Sequence, residues 1–209
     1  MSKGPLESLR DPILLRAKQT MIKKIVLFTS ITLLIIGGVI LFAPSKTVLS
    51  ISNRKNPNQR IYSSLAYKNG FIISYTHSVN KGRVHDFYTI QPDDSLLLDK
   101  TLFVSYGAGI PEPEETPGAD FLVTDDGYMI SNLHRKVEKL TMAVGLIANH
   151  AIALYDSQKG TNKEKSIQEY YLTDLFEPQT SIILEIKRIT FLKYIFHKLN
   201  KKGGKLKNE

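Results

Sequence analysis

The hydrophobic pattern of this chain changes once, near Pro44. From Ile25 to Ala43, nineteen consecutive residues carry no charge. As a helix rising about 1.5 Å per residue, that run spans roughly 28 Å, about the thickness of a bilayer's hydrocarbon core. Thr29, Ser30 and Thr32 fit such a span because a helical hydroxyl can bond back to a carbonyl one turn earlier. The pattern predicts a transmembrane helix over 25–43. Arg16, Lys18, Lys23 and Lys24 precede it and only Lys46 follows closely, so the positive-inside rule puts the N-terminus in the cytoplasm and the rest outside. Leu41, Ala43 and Pro44 make a poor cleavage site, and the apolar run is longer than a usual signal core. The expectation is an uncleaved signal anchor at the cell membrane, behind a basic cytosolic tail at 1–24.

Beyond Pro44 the helical period disappears. Short runs rich in Val, Ile, Tyr and Phe are separated by Gly, Asn and Asp, the pattern of an all-β domain. The clearest hairpin joins 60–67 to 71–77 through Lys68-Asn69-Gly70, since Asn-Gly favours turns with positive φ. A second turn, Asp125-Asp126-Gly127, joins 121–124 to 128–131. Further strands are expected at 47–52, at 84–91, at 95–106 as one long strand, and at 140–148, 151–155 and 181–189. Residues 172–177 look like a short helical turn, and 158–165 like a polar loop. About nine short strands over 46–189 predict an antiparallel sandwich or partly open barrel outside the membrane.

Composition narrows the function classes. Hydrophobic residues at 42% and charged residues at 23% exclude wholesale disorder. With no cysteine, a disulfide scaffold, a thiolate metal site, a cysteine nucleophile and a lipid-modified cysteine are all excluded. The net charge of +8 suggests nucleic acid until its distribution is read. Residues 1–24 carry six Lys and Arg against two acids, and 190–209 carry six against one, leaving 25–189 at −1. A near-neutral body with basic ends is not a phosphate-binding surface, whereas basic ends suit an anionic membrane face. In 190–209, lysines alternate with Phe191, Leu192, Tyr194, Ile195 and Phe196. Two readings stay open there, a segment resting on lipid headgroups and a solvated tail; projected as a helix, 191–199 shows no clean apolar stripe.

Two stretches carry candidate chemistry. The first is Tyr75-Thr76-His77-Ser78-Val79, followed by Val84-His85-Asp86. If 78–83 form the connection, His77 lies opposite Val84 and Asp86 sits on the diagonal, on the core side. Neither would be buried alone, because an unpaired buried carboxylate is too unfavourable. A structural clasp, a ligand site and a catalytic Ser78–His77–Asp86 set are the alternatives. Strand alternation counts against the last, since Ser78 and His77 point to opposite faces. His85 is expected to face solvent. The second stretch is Gly107-Ala108-Gly109-Ile110-Pro111, a tight strand exit or the wall of a small pocket. The Pro111–Pro117 loop is acidic but lacks the spaced carbonyl and Asn/Asp ligands of calcium loops. His134, His150 and His197 show no ligand spacing, so neither a metal nor a cofactor is expected.

The order Thr76-His77-Ser78-Val79, Asp86, Gly107-Ala108-Gly109-Ile110-Pro111, then Leu172-Thr173-Asp174-Leu175-Phe176 resembles an uncharacterised bacterial family, domain of unknown function 1850, over about 46–189. Members commonly have Glu where Asn80 stands, and a Glu where Asp86 stands. The resemblance implies a small secreted or membrane-anchored protein, often encoded beside or fused to membrane subunits of TAXI-type tripartite ATP-independent periplasmic (TRAP) transporters. It implies a context and no reaction. The expected role is therefore a membrane-anchored accessory or binding module whose partner is a TRAP-type permease or solute-binding protein. The small-molecule ligand is unknown, and an enzyme is the less favoured class. The rivals are a small envelope enzyme using His77 and Asp86 as acid and base, and a purely structural envelope protein.

Overall fold

A computed structural model describes residues 5–65, 70–155 and 169–203 of the chain. The apolar run and the residues before it form one helix, α1 (Pro5–Phe42), which extends well N-terminal of the expected span. It ends just before Pro44, whose ring disfavours helical backbone in the preceding residue. The stretch Lys18–Phe42 is long and apolar enough to cross a membrane. The Oγ atoms of Thr29 and Ser30 bond the Val26 carbonyl at 2.9 and 2.8 Å, and that of Thr32 bonds the Phe28 carbonyl at 2.9 Å. These three hydroxyls are thus satisfied within the helix itself.

Residues 46–189 form a separate body of antiparallel β-sheet. Its strands are β1 (Pro44–Asn53, which starts at the junction), β2 (Arg60–Ser64), β3 (Gly70–Thr76), β4 (Arg83–Ile90), β5 (Leu96–Phe103) and β6 (Asp120–Thr124). They continue as β7 (Gly127–Ser131), β8 (Arg135–Val137), β9 (Leu140–Ala143), β10 (Ala151–Tyr155), β11 (Tyr170–Tyr171) and β12 (Ser181–Thr190). One sheet has the order β2-β1-β12-β9, the other β11-β10-β3-β4-β5-β7-β6 with β8 also on β5. Neither closes into a barrel. The described residues hold twelve strands rather than about nine. β8 is exposed throughout and β11 has two residues, so neither offers an alternating pattern. The 140–148 run stops at Ala143, and 144–150 form a loop. The hairpin expected between 60–67 and 71–77 does not form among the described residues: β2 pairs with β1 in the smaller sheet, whereas β3 pairs with β4 and β10 in the larger, so the chain changes sheets between them. Residues 66–69 of that connection and the 158–165 loop fall outside the described residues.

The core is where the two sheets meet. Leu49, Ile51, Ile182 and Leu184 from the smaller sheet pack with Phe71, Ile73, Leu96 and Ile152 from the larger. Phe71 and Tyr88, directly paired across β3 and β4, stack at 5.1 Å. Leu172 and Phe176 plug the same core from a 3-10 turn at Leu172–Asp174, where the sequence predicts a helical turn. A second, smaller cluster joins Val84, Phe103 and Ile130 to Ile110. Ile110 is the apolar anchor of the Gly-Ala-Gly-Ile-Pro turn.

β5 is not the regular strand its sequence suggests. Its pairing with β4 runs Val84↔Phe103 and Asp86↔Thr101, then shifts to Tyr88↔Leu98 and Ile90↔Leu96. Asp99 is the extra residue of a β-bulge, and its carbonyl accepts the Leu133 N–H at 3.0 Å. The bulge flips the alternation, so Leu96, Leu98, Thr101 and Phe103 all pair with core-facing positions of β4.

The C-terminal segment is helical, α2 (Phe191–Gly203). Thr190 caps it, its Oγ1 accepting the Lys193 N–H at 3.1 Å. This excludes a tail without structure over 191–203. α1 and α2 belong to one unit, distinct from the β body.

Candidate functional site

Two loops that are far apart in sequence are built around each other. The β3–β4 ladder runs one pair past the strands, with the His77 N–H donating to the Gly82 carbonyl at 2.8 Å. Four residues, 78–81, therefore close the hairpin, with Lys81 at φ 60° and its N–H on the His77 carbonyl at 3.2 Å. Within that turn the His77 Nδ1 accepts the N–H groups of Val79 and Asn80 at 3.2 and 3.3 Å. Asn80 Oδ1 accepts the Gly82 N–H at 2.8 Å, and its Nδ2 reaches the Ser105 carbonyl at 3.4 Å. Gly109 lies directly against the His77 ring. A Cβ at Gly109 would fall 2.5 Å from His77 Cε1, and the residue's φ of +89° also suits glycine. Ser78 and Ala108 are exposed. His77 and Gly107–Gly109 are thus close neighbours.

Asp86 does not join them. Tyr75, not His77, stands opposite Val84, and Asp86 is opposite Ile73. The reason is the length of the turn: two residues assigned from sequence to the connection, Gly82 and Arg83, continue the ladder instead. His77 lies four residues beyond Ile73 along β3, about 13 Å at strand spacing. The expected diagonal partner is displaced by one pair, and Tyr75 takes the place given to His77. The Thr101 hydroxyl donates to Asp86 Oδ1 at 2.7 Å, and the Tyr75 hydroxyl is hydrogen-bonded to the same carboxylate. Burial raises the Asp86 pKa, opposed by these two bonds and by the Arg135 charge. Burial and the Asp86 charge push the Tyr75 phenol up to about 12. Because the two sites share no partner, the effects of His77→Ala and Asp86→Ala on stability should add within about 0.5 kcal/mol. Thermal unfolding of the two single variants and the double variant checks this; strong coupling would contradict the register.

The opposite face of the same hairpin holds a second polar cluster. Ser74 is completely buried, and its hydroxyl donates to Glu169 Oε1 at 2.5 Å. The Ser74 Oγ also lies 2.8 Å from His85 Nδ1. A hydroxyl has one proton, so Ser74 must accept from an Nδ1–H of the imidazole. His85 is therefore held against the sheet, its side chain 23% exposed, rather than facing solvent as expected. Arg83 Nη2 stands 3.7 Å from Glu169 Oε2, while its Nη1 donates to the Asn149 carbonyl at 2.8 Å. This chain runs from imidazole through hydroxyl to carboxylate, the reverse of the proton order that activates a serine nucleophile. It ties Glu169, at the start of β11, and the 144–150 loop to the sheet.

That 144–150 loop completes the same end of the sheet. The Thr76 N–H donates to the Ala148 carbonyl at 2.7 Å, and His150 Nδ1 accepts the Gly145 N–H at 3.0 Å. Burial, with the Arg83 charge, lowers the His150 pKa, in keeping with an unprotonated acceptor nitrogen. Around the three loops several apolar side chains stay exposed, namely Val79, Val104, Tyr106, Leu146 and Ile147. Ile147 is 85% exposed.

Residues 71–159 match the family model DUF1850, a domain of unknown function. That stretch of the chain is similar to the DUF1850 family. The match is narrower than the 46–189 that the resemblance implied, and it contains the three loops and the strands between them. No curated protein and no solved structure matches the chain. Within the matched stretch, Asn80 stitches the two motif loops together through Gly82 and Ser105. Among the described residues, no three His, Cys, Asp or Glu are grouped to hold a metal ion.

Sequence reasoning missed Tyr75, Thr101, Ser74 and Glu169 as partners. Tyr75 was recoverable from a four-residue turn. The bulge at Asp99 hid Thr101, and Ser74 and Glu169 are 95 positions apart.

Proposed function

We propose that the protein is a membrane-anchored extracytoplasmic binding module that works with a TRAP-type solute transporter. One observation carries the reading: three loops, 77–82, 104–110 and 144–150, are cross-braced at one end of the body and present uncovered apolar side chains. Grouped apolar side chains on a braced scaffold suit recognition of another protein. The basic residues before the apolar helix favour a cytoplasmic N-terminus with the body outside, and the family resemblance supplies the transporter context.

An envelope enzyme using His77 and Asp86 as a pair has less support. His77 spends its Nδ1 on two backbone N–H groups, and Asp86 is engaged by Thr101 and Tyr75. The test is isolation of the tagged full chain from its native membrane in mild detergent. A TRAP-type permease or solute-binding protein should co-purify stoichiometrically; isolation without either would overturn the proposal.

A further inference from the structure

We infer that α2 lies on the anionic headgroup surface of the same bilayer that α1 crosses. The inference rests on reading α1 as the membrane span. β1 and β12 are neighbours in the smaller sheet, and the Arg54 N–H at the end of β1 bonds the Ser181 carbonyl at the start of β12. The two strands are therefore antiparallel, so the start of β1 and the end of β12 come together. α1 leads into the first and α2 leaves the second after Thr190. α2 thus begins beside the C-terminal end of the span, at the depth where apolar chain gives way to headgroups.

The composition of α2 fits that depth. Phe191, Leu192, Ile195 and Phe196 follow helical spacing and fall within one arc of about 140° at 100° per residue. This arc corrects the expectation that 191–199 shows no clean apolar stripe. Phe196 is 58% exposed in the chain itself, which leaves that part of the arc uncovered. Lys193 and Lys198 are exposed on the flanks. From Thr190 to Asn208 there are six lysines and no acid. An apolar arc with cationic edges is the pattern of a helix lying in the interface, where its cations meet lipid phosphates. Tethering by α1 raises the effective concentration of the surface, so a weak affinity suffices to hold it.

The chain contains no tryptophan, so Phe196→Trp installs a single indole on the arc. The full-length variant is reconstituted in vesicles of phosphatidylcholine, with or without phosphatidylglycerol, and with brominated lipids as quenchers. In phosphatidylglycerol vesicles the indole emission should shift to the blue and be quenched. Most of the quenching should disappear in phosphatidylcholine alone, and in the Lys193→Glu, Lys198→Glu background. An indole that stays unquenched while the protein resists alkaline carbonate extraction overturns the inference and leaves the anchor standing. Extraction of the protein by carbonate overturns the anchor and the inference together. Equal quenching with and without phosphatidylglycerol overturns the role of headgroup charge.

Discussion

Replacing Gly127 by valine should destabilise the β body by at least about 3 kcal/mol, by combining a steric overlap with a strained backbone. Gly127 opens β7 after the two-residue Asp125-Asp126 loop, with φ at +137°. A Cβ there would lie 2.2 Å from the Phe103 carbonyl oxygen and 2.9 Å from the Val104 Cα. Both obstacles are backbone, so no rotamer change relieves them. Moving β7 away breaks the Phe103↔Tyr128 pairing and opens the cluster of Val84, Phe103, Ile110 and Ile130. A loss of that size is a large part of the roughly 5–15 kcal/mol that holds a domain together. Near-ultraviolet circular dichroism of the tyrosines in the solubilised full chain should show a melting point lower by about 10 °C or more. An unchanged melting point would refute the pairing of β5 with β7.

Asp86 should show opposite responses to two substitutions. Asp86→Ala strands the Thr101 and Tyr75 hydroxyls and should lose about 1–3 kcal/mol, the penalty for buried partners left unsatisfied. Asp86→Asn keeps the size and an acceptor for Thr101 while removing a buried charge, so at neutral pH it should match or exceed the natural chain. The pH dependence gives the sign. Burial raises the folded pKa above the unfolded value of about 3.9, so folding favours the protonated carboxyl. Its contribution is fully present below the unfolded pKa and is lost as pH rises through the folded one. The natural chain should therefore gain stability relative to Asp86→Asn as pH falls from neutral towards about 4. Denaturant unfolding of both proteins across that range measures the difference. A difference that is flat with pH would show that the carboxylate is not buried.

Much of the architecture was legible because it rests on periodicity. The uncharged run ending at Ala43, the alternation in Phe71, Ile73 and Tyr75, and the Asp-Asp-Gly turn each have a local physical cause. What was not legible depends on register and on distant contacts. The length of the 78–81 turn is set by Lys81 adopting a left-handed φ, which sequence alone does not announce, and two residues of error moved Asp86 from His77 to Tyr75. The bulge at Asp99 reversed the facing of half of β5. The nearness of His77 to Gly109 follows from ladder pairing, because the Gly107–Gly109 turn leaves the strand that pairs with β4. The Ser74–Glu169 contact was beyond local reasoning, since it joins β3 to the start of β11.

The binding role is tested most directly by site-specific photo-crosslinking in intact cells. A photoreactive amino acid is placed at Tyr106 or Ile147 on the loop end, and at the exposed Glu138 as a control. If these loops are the recognition end, the 106 and 147 positions should capture one membrane or solute-binding protein of a TRAP-type transporter, and the 138 position should capture none. Capture from 138 but not from 106 or 147, or no adduct from any of the three, would contradict the account.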